Sequence, residues 1–192
     1  AANEGLTNAT KLIDQASVVA VEAFEIAEIP SKEWFIEQVG ANGAVVSTAQ
    51  ELKDAINSNK KTICVYGKID YFENESITLK DGQKLVGTEY FTGYSGVKER
   101  FSCLNMTNII SSASGSNTEI SDIDFNFVVT RSFIYNQGNM NVNNVSVEGE
   151  FTSSNQAAII RNNGSMLISG KSKNQALSSN NTYIIGIYNY DG

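Results

Sequence analysis

The feature that most constrains this chain is a phrase that recurs. Asn117 to Asn126 runs N-T-E-I-S-D-I-D-F-N, and its echo at Gly138–Gly149 runs G-N-M-N-V-N-N-V-S-V-E-G. Ile120, Ile123 and Phe125 align with Val142, Val145 and Val147 at an offset of 22 residues. Q-G-N-M-N-V (137–142) aligns with N-G-S-M-L-I (163–168) at an offset of 26. Between these lies a second apolar doublet, Ile109–Ile110, Phe133–Ile134, Ile159–Ile160 and Ile184–Ile185, at offsets of 24, 26 and 25. Apolar residues alternating with polar ones make half-buried strands. Strands that return every 20-odd residues bury their apolar face by stacking on the previous copy. The expectation is a mainly β chain, a right-handed parallel β-helix of six or seven coils, the handedness following the crossover rule.

Composition then limits the chemistry. The chain has 192 residues, a net charge of −7 and no histidine. An acidic surface repels nucleic acid and anionic membrane. Without imidazole there is no histidine ligand for zinc and no histidine-based triad. No apolar run approaches the roughly 20 residues of a membrane span. Asparagine is abundant and proline occurs once; asparagine tolerates left-handed corners and stacks on its copy one coil away. Cys64 and Cys103 could pair in an oxidising compartment. If they lie two coils apart, however, the separation of roughly 10 Å exceeds disulfide reach.

Residues 1–45 read as a helical segment preceding the coil of residues 46–192. Leu6–Ile29 lacks breakers and ends before Pro30. Its Leu6, Ile13, Ala20 and Ala27 recur every seven residues, a seam that either joins several chains in a trimeric neck or packs on the chain's own β-domain. The latter, a monomer, is favoured because alanine makes a weak oligomer seam. Ser31–Gln38 is expected as a short helix anchored in the core by Trp34 and Phe35. Thr48–Asn57 is a clearer one: Thr48 and Glu51 form a capping box, and Ala49, Leu52, Ala55 and Ile56 make the buried face. Thr62–Asp70 reads as one strand, followed by Ser76–Leu79, a turn at Asp81–Gly82, and Lys84–Gly87. Tyr90–Arg100 is irregular and rich in aromatic residues, and is expected to project as a loop. The coil entering at Tyr183–Gly192 carries no capping element, so the chain is expected to be cut from something longer.

V-S-T-A-Q-E-L-K-D-A-I (46–56), I-C-V-Y-G-K-I (63–69) and I-T-L-K-D-G-Q-K-L-V-G (77–87) together resemble the opening of pectate-lyase-like β-helix proteins. In that superfamily a short helix closes the N-terminal end of the coil and a strand ending in glycine begins it. The superfamily includes polysaccharide lyases and hydrolases, phage tailspikes, and passenger domains of bacterial autotransporter adhesins. The resemblance implies, for a lyase, calcium held by acidic side chains; Asp122 and Asp124, with Glu148 and Glu150 near the aligned place one coil on, are the candidate ligands. The same alternation with Ile123 and Phe125 is also what the solvent face of a half-buried strand produces. The W-I-D-H and R-x-P-x-x-R motifs of the lyases are missing, as are the N-T-D, G-H-G and R-I-K motifs of the hydrolases. A chance pairing of Asp124 with Glu148 across a sugar is too common on such a fold to count.

The leading expectation is therefore a secreted or cell-surface bacterial module, without catalytic residues or a required cofactor. It would belong to an adhesin or autotransporter-like protein and would meet a glycan or protein of a host or neighbouring cell. Tyr90, Phe91, Tyr94, Lys98 and Arg100 of the loop are the candidate ligand contacts; Tyr183, Tyr188 and Tyr190 form a second aromatic set, while Phe101, Phe125, Phe127 and Phe133 are assigned to the core. Lys98, Arg100, Arg131 and Arg161 are scattered; Arg131 and Arg161 could meet on adjacent coils as an anion site, but solvated positions on loop corners are the favoured reading. The competing expectations are a tailspike segment and a polysaccharide lyase or hydrolase.

Overall fold

The computed structural model of the chain describes residues 29–92, 97–152, 156–178 and 184–189. The expected helix over 6–29 lies outside them. By contacts the chain divides into two compact units, Ala1–Pro30 with Tyr90–Glu99, and Ser31–Glu89 with Arg100–Gly192. The second unit holds both described helices and all three large sheets.

Helix α1 (Lys32–Val39) starts at Ser31, whose hydroxyl accepts from the Trp34 N–H at 3.3 Å. None of its residues is buried, and Trp34 and Ile36 are 46% and 49% exposed. Trp34 is thus no core anchor. Phe35 and Val39 share the inward side as an i, i+4 pair, and Trp34, one step round the helix, is left outside. Strand β1 (Gly43–Val46) leads to helix α2 (Ala49–Asn57), which buries Leu52, Ala55 and Ile56. Thr48 caps it as expected, accepting from the Glu51 N–H at 3.2 Å. The reciprocal half of the box is shifted by one residue. Glu51 accepts from the Ser47 N–H at 2.7 Å and pairs with Lys32 at 2.9 Å, so Lys32 and the Ser47 amide hold its carboxyl below the usual range.

From β2 onward the strands visit three sheets in rotation. The circuits are β2 (Thr62–Val65), β3 (Lys68–Tyr71), β4 (Ile77–Leu79); β5 (Lys84–Val86), β8 (Cys103–Met106), β9 (Ile110–Ser112); and β10 (Asn117–Ser121), β11 (Asp124–Val129), β12 (Ser132–Asn136). Two more follow: β13 (Asn139–Asn143), β14 (Ser146–Phe151), β15 (Ala157–Asn162), and β16 (Ser165–Ser169), β17 (Lys173–Ser178), β18 (Ile184–Asn189). The first members stack in one sheet behind β1, the second in another and the third in another, every pairing parallel. The chain is thus mainly β, with parallel sheets consistent with a solenoid. The described residues make five circuits rather than six or seven, because residues 31–61 fold into the helices and β1, and Glu89–Thr92 and Val97–Arg100 form a separate pair of strands.

Register explains the recurring phrase. Ile120 faces Leu85 on one side and Val142 on the other, and the column runs Ala44, Ile63, Leu85, Ile120, Val142, Ile168. The next sheet aligns Ile69, Leu104, Phe125 and Val147, and the third aligns Ile77, Ile110, Ile134 and Ile160. The fourth doublet departs from expectation: Ile184 and Ile185 face Ala157 and Ala158, and Ile160 faces Ile187, an offset of 27 rather than 25. Phe125, Phe127 and Phe133 are core residues as expected, the last two stacked at 4.7 Å. Gly149 stands opposite Phe127 in the register, where a Cβ would collide with the ring and its carbonyl.

Thr62–Asp70 is two strands rather than one, because Gly67 takes a left-handed conformation (φ +82°) and turns the chain between sheets. Asp122, Asn144 and Gly170 occupy the same corner in later circuits at φ of 55°, 54° and 69°. Only glycine, asparagine and aspartate adopt that region at low cost. At another corner the asparagines are buried. Asn136 Oδ1 accepts from Ser112 Oγ at 2.8 Å and from the Gly138 N–H, while its amide serves Asn162 Oδ1, Gly138 O and Ser165 O. Asn162 continues the ladder to Asn189 at 3.1 Å.

Cys64 and Cys103 are free thiols, one in the first sheet and one in the second, so they share no column. Two expected outcomes follow from this packing. Asn136→Ala, which orphans several buried partners, lowers unfolding free energy by about 2–4 kcal/mol in urea melts. Burial pushes the Cys64 thiol up to about 11 and also raises that of Cys103. An aromatic disulfide reagent at neutral pH should therefore label Cys103 slowly and Cys64 only after unfolding.

Candidate functional site

Among the described residues the circuits are interrupted once, between β5 and β8. There the chain forms β6 (Glu89–Thr92) and β7 (Val97–Arg100), a two-stranded ribbon rather than an irregular loop. Tyr90, Phe91 and Lys98 fall on its strands, and Tyr94 lies outside the described residues. The root of the insertion belongs to the stacked sheets. The Phe101 N–H donates to Thr88 O at 3.0 Å, which brings the outgoing and returning chains together. Ser102 Oγ accepts from the Thr88 N–H at 2.7 Å and from Thr88 Oγ1 at 2.9 Å, and donates to Val65 O. Both residues are buried, so each polar group needs a partner, and this closed set supplies one. Gly87, just before it, lies so close to the Asp122 carbonyl that any Cβ would collide with it.

Arg100 completes the root. Its Nη2 donates to Asn144 O at 2.6 Å, its Nε lies 3.3 Å from Asp124 Oδ1, and its Nη1 lies 3.7 Å from Asp122 Oδ1. Asn144 Nδ2 also donates to Asp122 Oδ1 at 2.8 Å. The side chain of Arg100 is only 14% exposed. The two left-handed corners place Asp122 and Asn144 one above the other, and a planar guanidinium spans them as an ammonium does not.

This arrangement changes the expected acidic patch. Register places Asp124 against Ser146, Glu148 against Asn126 and Glu150 against Val128. Glu148 and Glu150 therefore do not stack on Asp122 and Asp124; each lies further along the strand. The offset of 22 aligns Ile123 with Val145, which puts the glutamates opposite 126 and 128. Positive charge from Arg100 sits on the aspartates. Among the described residues no group of three acidic or cysteine side chains could hold a metal ion.

The remaining candidates also separate. Arg161 faces Tyr135 and Tyr188, whereas Arg131 precedes Ser132, which faces Ala158, so the two arginines are not neighbours. Tyr183 and Tyr190 lie outside the described residues. Phe101 is half-buried rather than fully core, edge-on to Tyr66 at 5.0 Å, which meets Phe35 at 5.7 Å and through it Trp34. That aromatic series, ending in an exposed tryptophan, had no periodic signal in the sequence, since its members come from a helix, a corner and the insertion's return.

No protein-family model, curated protein or solved structure matches the chain. For the root, Arg100→Ala is expected to cost about 1–3 kcal/mol, because it leaves two close carboxylates without their cation. Arg100→Lys should restore less than half. Urea melts at low and high salt check this, and the loss should shrink as salt screens the exposed carboxylates.

Proposed function

We propose that the chain is a right-handed parallel β-helix of the pectate-lyase-like kind. In this reading it is a non-catalytic surface or secreted module of a larger bacterial adhesin or autotransporter-like protein. Its mechanism is presentation. The stacked circuits form a stiff scaffold, and the segment inserted between β5 and β8 offers Tyr90, Phe91, Tyr94 and Lys98 to a glycan or protein of a host or neighbouring cell. Arg100 acts as the anchor of that segment rather than as a ligand contact.

The observation that carries this reading is the root. A segment whose two ends are tied by buried Thr88–Ser102 hydrogen bonds and a nearly buried arginine has its base held rigidly. A rigid base lowers the ordering cost of any contact its side chains make. Phenolic rings and a lysine in one short stretch suit stacking on sugar faces or on a protein patch.

The test replaces residues 90–99 with a short Gly-Ser linker and compares binding to a glycan array and to intact epithelial and bacterial cells. The parent chain should bind at least one of these, and the variant should lose that binding while keeping its melting midpoint. Equal binding by both would move the contact elsewhere. Release of unsaturated sugar from pectate in calcium, seen as ultraviolet absorbance, would replace the presentation reading with a lyase.

A further inference from the structure

Beyond the insertion, the second compact unit contains a cleft of about 240 Å³ between helix α2 and the turn joining β3 to β4. Its floor is Ile56 and Ile77, both buried, and its rim carries Lys53, Asn57, Tyr71, Glu75 and Lys80. Tyr71 is only 2% exposed, yet its hydroxyl makes no hydrogen bond with any described residue. The hydroxyl is not fully enclosed, so it opens to solvent in the cleft and can exchange a water for a ligand group. Tyr71 lines the cleft together with Lys53 and Glu75. Burial holds the phenol above its ordinary pKa, so it stays a neutral O–H that can donate and accept.

Of the two rim lysines, Lys53 is matched by a carboxylate and Lys80 by a neutral carbonyl. Lys53 Nζ lies 2.8 Å from Glu75 Oε2, and Lys80 Nζ donates to Asn57 O at 2.7 Å. A phosphate would meet the Glu75 carboxylate beside Lys53, and a lipid chain would bury the rim's charges against hydrocarbon. The volume is below the roughly 300 Å³ at which drug-sized pockets begin, which limits the occupant to one small ring. Donors and acceptors alternate around an aliphatic floor, the complement of a ring with hydroxyls on its edge and C–H groups on its face. We propose that the cleft between α2 and the β3–β4 turn is a binding site for a single pyranose ring. The sugar's C–H face rests on Ile56 and Ile77. Its vicinal hydroxyls meet the Tyr71 O–H, the Glu75 carboxylate and the Lys53 ammonium. The site is separate from the inserted ribbon and does not depend on its role.

Methyl glycosides of glucose, galactose and mannose, together with glucuronate and inorganic phosphate, are titrated at millimolar concentration into the whole chain, with isoleucine methyl groups observed by NMR. At least one neutral glycoside should shift Ile56 and Ile77 saturably. Tyr71→Phe, which keeps the ring in the core, and Glu75→Gln, at an exposed position, should each weaken it about five- to tenfold. Glucuronate binding alone would narrow the occupant to an acidic sugar and overturn the neutral-ring assignment. Binding of phosphate alone, no shift with any probe, or equal affinity in the parent and both variants would overturn the proposal.

Discussion

Each strand of the stacked sheets takes its backbone hydrogen bonds from the strand one circuit away, and nearly every other feature depends on that. A single circuit of three short strands has no partner for its amides and no second layer for its apolar face. Stacking supplies both at once, as repeat architectures require. Leu85 illustrates the coupling: it is fully buried only because Ile63 and Ile120 lie in register on either side of it. Burying such a side chain contributes about 1.5–3 kcal/mol, and every internal circuit places a branched or aromatic residue in each column.

The same in-register spacing organises the polar side chains. At corners and outer faces a residue meets its counterpart one circuit on, so identical amides can hydrogen-bond to one another. The run from buried Ser112, Asn136 and Asn162 out to exposed Asn189 and the exposed pair Asn117 with Asn139 are such ladders. The insertion between β5 and β8 exploits that order. It leaves the stack where Asp122 and Asn144, already aligned as left-handed corners, can receive Arg100.

Much of this organisation was legible from repetition. The offset of 22 is the true pairing of Ile120 with Val142, and the offset of 26 is that of Met140 with Met166. Thr48 as a cap and the face of α2 followed from local chemistry. What depended on side-chain geometry across circuits was hidden. The acidic patch dissolved because aligning the apolar residues sends Glu148 opposite Asn126, a consequence of register visible only once the strands are paired. Ile184–Ile185 resembled its predecessors in composition but pairs two residues further back, since the link between β17 and β18 has its own length. Trp34 misled because a large aromatic on a two-turn helix has no periodic partner to decide its side. The cleft around Tyr71 gave no signal, being assembled from a helix end and a turn with no shared motif.

Methyl–methyl nuclear Overhauser contacts among the isoleucine, leucine and valine side chains test the stacked-circuit account most directly. It predicts cross-peaks linking residues one circuit apart: Ile63 to Leu85, Leu85 to Ile120, Ile120 to Val142, and separately Ile77 to Ile110, Ile110 to Ile134 and Ile134 to Ile160. Cross-peaks that instead join successive strands as antiparallel hairpins, with none between these pairs, would contradict it.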